Sequence, residues 1–553
     1  MKKILCLTLI GVLLVLLAAC GGGGGADSNA EPAAPVTIPE PDVQTNYNIN
    51  PAPPEQPANA GATSNDKYGG IVKLIDVGDF GEPFGLVWQP IIARHFSTNF
   101  SEDLVNFTMS GVYEPHLANS WDIDLEKKTI TFYLKEGIKF TDGSPFNAEA
   151  VRWNLDAWHE DDRGNEEVGP GMTRVVDDYT VEISYLNWQN VLFETFASHS
   201  YSMVSMENYL KNGKEYARQN PVGTGPFKLK EWNIGSSVIF EKNTDYWQEG
   251  MPYLDGVEYY SITDVMVQNA ALISNESADR IDFYNCTNAE QAWTLMNAGI
   301  DFDYSYMRGA GAFVLCPNSV DAADNPLYDV RVRNAISYAL DREALCEAKG
   351  FGIWTPAQQL TSPGYAGYLD RSNPLLAQAT YDPEKAKALL SEAGYPNGFT
   401  IPLRANAQFS DQMVAIQEML GRIGITCELE FPDQGRLTDL LYSGWDGILG
   451  FNWGQVMNTG ISFYIWWHPD NTSYVSAMRP PEYEEMYYTA RRSFDIDNTL
   501  FGALDELALS NQVFVPVYYN NAVQFIRNGL TDGGFKEYSA DTMWTPWSAY
   551  WQK

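Results

Sequence analysis

Histidine and cysteine are scarce in this chain, five and six among 553 residues. The histidines (His95, His116, His159, His199 and His468) form no HExxH pair or other metal-ligand spacing. No GxSxG elbow, Walker-type glycine loop or dinucleotide fingerprint occurs either. The chain therefore carries no motif for metal-, serine- or nucleotide-dependent catalysis, and no cofactor or metal is expected. Of the cysteines, Cys6 and Cys20 lie at the N-terminus; Cys286, Cys316, Cys346 and Cys427 are far apart without CxxC spacing and read as buried free thiols. Positive charge is also short: 36 Lys and Arg face 71 Asp and Glu, a formal net charge of −35. With no basic surplus to displace counterions, a nucleic-acid partner is excluded, and the scattered acids read as solubility. The acidic stretch "HEDDRGNEE" (159–167) lacks the alternating ligand order of a calcium loop and reads as solvated. Carboxylate pairs for glycan hydrolysis stay open, because 71 acids offer many accidental pairs.

One long apolar run is present, from Ile4 to Leu17. It is shorter than the about 20 residues a bilayer span needs. It follows Met1-Lys2-Lys3 and ends in the small residues Ala18-Ala19, the pattern of a secretory signal over 1–19. Leu17-Ala18-Ala19-Cys20 resembles the lipobox of bacterial lipoproteins, which implies lipidation of Cys20 and a membrane anchor on the outer face of a bacterial cell membrane. From 20 to 68 the chain is Gly, Ala, Pro, Asn and short polar residues without hydrophobic period, as expected of a flexible linker.

The remaining stretch of about 490 residues exceeds what one core organises, so two or three domains are expected. Strands and helices alternate along it, which implies an α/β fold. "KTITFYLK" (128–135) and "DYTVEISYL" (178–186) alternate as strands, 147–159 reads as a helix capped by Asn147, and 225–243 reads as a hairpin around Gly235-Ser236. Helices are expected over 191–213 and 329–348, and strands over 399–404, 425–430, 446–452 and 513–519.

Several stretches then occur in a telling order: "PHLANSW" (115–121), "KTITFYLKEGIKFTDGSPFNAEAV" (128–151), "NPVGTGPF" (220–227), "NTDYW" (243–247), "DVRVRNAISYALDR" (329–342) and "YDPEKAKALLSEAG" (381–394). Together they resemble the signature of the oligopeptide and dipeptide class of bacterial extracellular solute-binding proteins, family 5. Locally, Gly223 and Gly225 read as turn glycines with positive φ, and Arg333, Asp341 and Arg342 as ion-pairing residues that fix a helix.

The resemblance implies a two-lobed, type II periplasmic-binding-protein (Venus-flytrap) fold with an additional third domain. Lobe I would comprise 69–105, 219–310 and 513–553, the extra domain 106–218, and lobe II 311–512. The hinge would lie near Ala310–Val314 and Gln512–Pro516. It further implies a monomer, not an enzyme, that captures a peptide-like solute between its lobes and delivers it to the membrane subunits of an ABC permease. The family's tryptophan, followed three residues later by an aspartate for a peptide amine, maps onto "DGILGFNWGQV" (446–456). Trp453 fits the tryptophan; Val456 stands in place of the aspartate. That departure opens an alternative ligand, an oligosaccharide or glycoside, whose apolar faces stack on aromatic rings. The chain has 16 Trp and 32 Tyr. Candidate ligand contacts are Trp453, Asn452, Phe451 and Trp445, with Phe84 and Trp88 from "GEPFGLVW" (81–88). An exported glycan hydrolase remains a third reading, distinguishable by turnover.

Overall fold

Burial alternates along the strand Thr129–Leu134, with Ile130, Phe132 and Leu134 turned inward, as a period of two requires. The helix Ala148–Ala157 starts where Asn147 accepts the Ala150 N–H at 3.0 Å. These features come from a computed structural model. It describes residues 67–76, 94–107, 112–159, 167–197, 202–274, 280–307, 311–320, 324–454, 459–468, 473–531 and 547–552. Cys20, Phe84, Trp88 and Val456 lie outside the described residues.

Two larger sheets organise the chain. In spatial order, the first runs Phe302–Met307, Ala522–Arg527, Phe283–Cys286, Ile71–Asp76, Gly256–Ser261, Ser237–Lys242 and Phe227–Asn233. The second runs Thr355–Pro356, Val515–Tyr519, Gly311–Pro317, Ile448–Gly454, Phe399–Ala405 and Ile425–Glu430. Each has a parallel part: Ile71–Asp76 with its two neighbours at the centre of the first, and Phe399–Ala405 with its two neighbours at one edge of the second. A smaller antiparallel sheet (Ala118–Asp124, Thr129–Leu134, Thr180–Ser184, Thr173–Asp177) forms the third unit.

That third unit is fastened to the first lobe by a buried carboxylate. Glu102 accepts from Tyr246 Oη (2.5 Å) and Trp247 Nε1 (2.8 Å) and lies 3.1 Å from His116 Nε2. Burial alone would raise its pKa, yet the His116 and Tyr246 contacts hold it below the ordinary value. Gly223 and Gly225 make a second seam. Neither has positive φ; they are glycines because a Cβ would stand 2.0 Å from the Phe100 carbonyl oxygen at Gly223 and 2.5 Å from its carbon at Gly225. Close backbone approach, rather than the expected turn conformation, is what excludes a side chain there.

Contacts from residues 188–190 also reach the second lobe. The Trp188 indole donates to Ser493 O (3.1 Å) and stacks on Phe494 at 5.4 Å. Asn190 Nδ2 donates to Ala490 O at 2.8 Å, and Arg491 donates to Gln189.

Two expected helices are shorter than the pattern implied. Residues 191–213 form Asn190–Glu194 and Met206–Asn212, because the intervening Met203 bonds Glu102 O at 2.9 Å and Val204 bridges Gly223 as extended chain. Residues 329–348 form Val330–Ala339 and Arg342–Gly350; Leu340 is extended, and Asp341 caps the second helix by accepting the Ala344 N–H. Arg333 and Arg342 bind carbonyls, not the expected carboxylates, while Arg331 pairs with Asp329 at 2.6 Å. Arg342 donates to Pro516 O (2.8 Å), Ala379 O (2.9 Å) and Ser337 O (3.0 Å), and Arg333 to Asn511 O, Leu327 O and Tyr328 O. Without a carboxylate in contact, burial pulls Arg342 down to about 9 and Arg333 to about 10. Cys286, Cys316, Cys346 and Cys427 are buried and free, as their spacing suggested.

Candidate functional site at the lobe crossing

The chain passes between the lobes at two neighbouring places. Phe302–Met307 of the first sheet is followed by Gly311–Pro317 of the second, and Val515–Tyr519 of the second by Ala522–Arg527 of the first. Each pair is antiparallel in its own sheet, and Asn520 N–H donates to Gly311 O at 3.2 Å between them. The first crossing lies between Met307 and Gly311, just ahead of the expected Ala310–Val314, whose residues from Gly311 on belong to the second sheet. The second falls at Asn520–Asn521 instead of Gln512–Pro516, because Val515–Tyr519 pairs with Gly311–Pro317 and so belongs to the second lobe. Gly311 admits no side chain: its φ is +150° and a Cβ would lie 1.8 Å from the Trp453 carbonyl oxygen.

The parallel strands of both sheets point their carboxyl ends at this crossing. Cys286 is opposite Val523, two residues after the second crossing, and Gly454 is opposite Gly311. In open α/β sheets ligands bind outside the carboxyl ends of the strands, which makes the crease between these two edges the candidate site.

One side of the crossing is closed by protein. Ile353 packs with Tyr284, Cys286, Val523 and Phe525, Trp354 stacks on Tyr518 at 4.2 Å, and Asn521 Nδ2 donates to Ile353 O at 2.8 Å. On the opposite face of the first sheet, one cross-strand row reads Asp303, Ile526, Phe283, Leu74 and Tyr259. The next same-face row toward the crossing holds Ser305, Gln524 and Asn285, then by register Asp76 and Ser261. The face thus turns polar at the crossing. Gln524 is 0% exposed, and its Oε1 is 3.4 Å from Ser305 Oγ while Nε2 has no hydrogen-bond partner; Asn285 Oδ1, also buried, is likewise unpartnered among the described residues.

The aromatic candidates are placed differently from the expected stacking platform. Trp453 is 0% exposed, with ring centroids 4.9 Å from Phe514, 5.4 Å from Phe463 and 6.3 Å from Trp466. Phe451 packs on Tyr474 (5.0 Å), and the Trp445 indole donates to Cys316 O at 3.2 Å. Phe451 and Trp453 share one face of Ile448–Gly454, and Trp445, just before that strand, is buried with them in the same apolar core cluster. Asn452, on the other face opposite Phe313, keeps a buried Oδ1 without a partner among the described residues. Trp466 and Trp467 are core residues as well, their indoles donating to Gly454 O and Met478 O. Gln524 and Asn285 were missed in the sequence because Gln and Asn within strands carry no motif. The available signal was the change from apolar to polar at the same end of two strands, "FYNC" and "AVQFIR".

The sequence pattern of the bacterial extracellular solute-binding proteins, family 5 Middle, matches residues 112–474. The chain belongs to that family. Its members are solute-binding proteins of transport rather than enzymes. The glutathione-binding protein GsiB of Salmonella typhi is 30% identical over 355 residues, which cover 60% of this chain and 66% of that protein. The chain thus spans just under two thirds of the length of that relative. Among solved structures, the periplasmic binding protein DppA of Helicobacter pylori in complex with the peptide STSA shares the fold with a TM-score of 0.69 at 22% identity, covering 88% of this chain and 99% of that one. The oligopeptide-binding protein AppA of Bacillus subtilis, in complex with a nonapeptide, gives a TM-score of 0.68 at 22% identity over 88% and 100%. The family fold is two-lobed and type II with an additional domain, as the sheets above describe. Among the described residues no helix is long and apolar enough to cross a membrane.

Proposed function

We propose that the chain captures a peptide-like solute in the crease between its lobes and hands it to the membrane subunits of an ABC importer. The observation that carries this reading is the row of polar side chains at the strand ends beside the crossing, with a buried donor (Gln524 Nε2) and acceptor (Asn285 Oδ1) left unpaired. Buried polar groups without a protein partner are completed by water or a bound group, and these two stand as direct cross-strand neighbours at the strand ends beside the crossing. A glutathione-binding relative and peptide-bound structural neighbours support a peptide-like ligand. Burial of Trp445, Trp453 and Phe451 removes three of the rings on which an oligosaccharide would stack. Cys20 would tether the chain to the outer face of the membrane, with 20–68 as the leash, and the binding unit would act as a monomer.

A thermal-shift screen of the purified chain against reduced glutathione, a tri- to nonapeptide pool and an oligosaccharide panel tests this. A ligand at one hundred times its dissociation constant stabilises by about 2.7 kcal/mol. A response to glutathione or peptides supports the reading; a response to oligosaccharides alone overturns it.

A further inference from the structure

We infer that Gln524 and Asn285 recognise a backbone amide of the bound solute, Gln524 Nε2 donating to its carbonyl and Asn285 Oδ1 accepting its N–H. The inference rests on the solute-binding reading above and names the groups that make it selective. The two residues are direct cross-strand partners, so their side chains leave the same face of the sheet, side by side. Among the described residues one is an unpaired donor and the other an unpaired acceptor, both buried. A residue of an extended peptide presents its own N–H and C=O to one edge, as in a β-ladder, and so matches a neighbouring acceptor and donor. Ser305 at the other flank holds Gln524 Oε1 and leaves the Nε2 end to point away from it.

Nothing in the architecture of the sheet needs these amides. The preceding same-face row places Phe283 opposite Ile526, and an apolar pair at the next row would bury without polar atoms. Leaving a buried polar group unpaired costs stability, and replacing it by an apolar group of similar shape is neutral or favourable. The pair therefore has a signature that a structural role lacks. Removing it leaves the unliganded protein as stable or more so while weakening the complex.

The test uses the purified chain as wild type, Gln524→Met and Asn285→Leu, with calorimetric titration of reduced glutathione and of trialanine and thermal melts without ligand. The expected result is an unliganded melting temperature equal to or above wild type in both variants, with affinity for the bound probe falling about tenfold or more. Variants that melt lower than wild type yet bind as tightly overturn the inference and make the pair structural. Wild-type binding of a probe that neither variant weakens overturns this inference alone. A wild type that binds neither probe nor any member of the peptide pool overturns the solute reading, and this inference with it.

Discussion

Asp505 sits on the helix Asn498–Ser510 without exposed surface, and its two carboxylate oxygens accept the N–H groups of Leu360 (3.1 Å) and Thr361 (2.8 Å). Burial pushes its pKa up to about 6, and the two backbone donors only partly oppose that. A folded-state pKa above the unfolded value contributes stability below the unfolded pKa and loses it as pH rises through the folded one. Between about pH 4 and pH 6 ionisation of Asp505 should therefore withdraw stability on the order of 3 kcal/mol. Urea unfolding of wild type and Asp505→Asn across this range is expected to show that decline in the wild type minus variant difference; equal slopes would refute it. No residue pattern announced Asp505, because a buried acid on an amphipathic helix differs from an exposed one only in what packs over it. The same holds for Arg333 and Arg342, whose sequence positions were conspicuous but whose partners Asn511 O and Pro516 O come from a segment far along the chain.

Elements end where a side chain offers the backbone something better than another turn. Asp341 does so inside "SYALDREAL": its carboxylate takes the Ala344 N–H at 3.0 Å, and the helix restarts at Arg342. Apolar spacing continues across this break, which is why the stretch read as one helix. Replacing Asp341 by Ala should cost about 1 kcal/mol in chemical unfolding without altering the far-ultraviolet circular dichroism of the native state. A loss well above 3 kcal/mol would mean the break, and not only the cap, depends on Asp341. The strand Val515–Tyr519 was legible as a strand from its composition, but its sheet was not. Membership depends on pairing with Gly311–Pro317, about two hundred residues earlier.

At the scale of the molecule, the lobes are joined both at the crossing and, away from it, through residues 188–190 of the third unit. Trp188 on Phe494 and Ser493, with Asn190 on Ala490, span from a unit fastened to the first lobe to a helix end of the second. Opening the lobes about the crossing separates these partners, so the contacts favour the conformation described here. Trp188→Ala should enlarge the radius of gyration of the unliganded protein in small-angle scattering and weaken solute affinity, if solute binds the conformation these contacts hold. An unchanged radius and affinity would assign Trp188 to packing alone.

By itself the sequence determined that this is a multi-domain α/β chain with a family 5 signature, no catalytic motif and no basic surplus, since composition, period and ordered motifs are local properties of the chain. Only the tertiary structure decided which strands share a sheet, where the second crossing falls, that Trp445, Phe451 and Trp453 face a core, and that Gln524 lies beside Asn285. Each of these depends on pairing between residues tens to hundreds of positions apart. The register of a sheet, unlike the period of a strand, is set by the partner as well as by the strand itself.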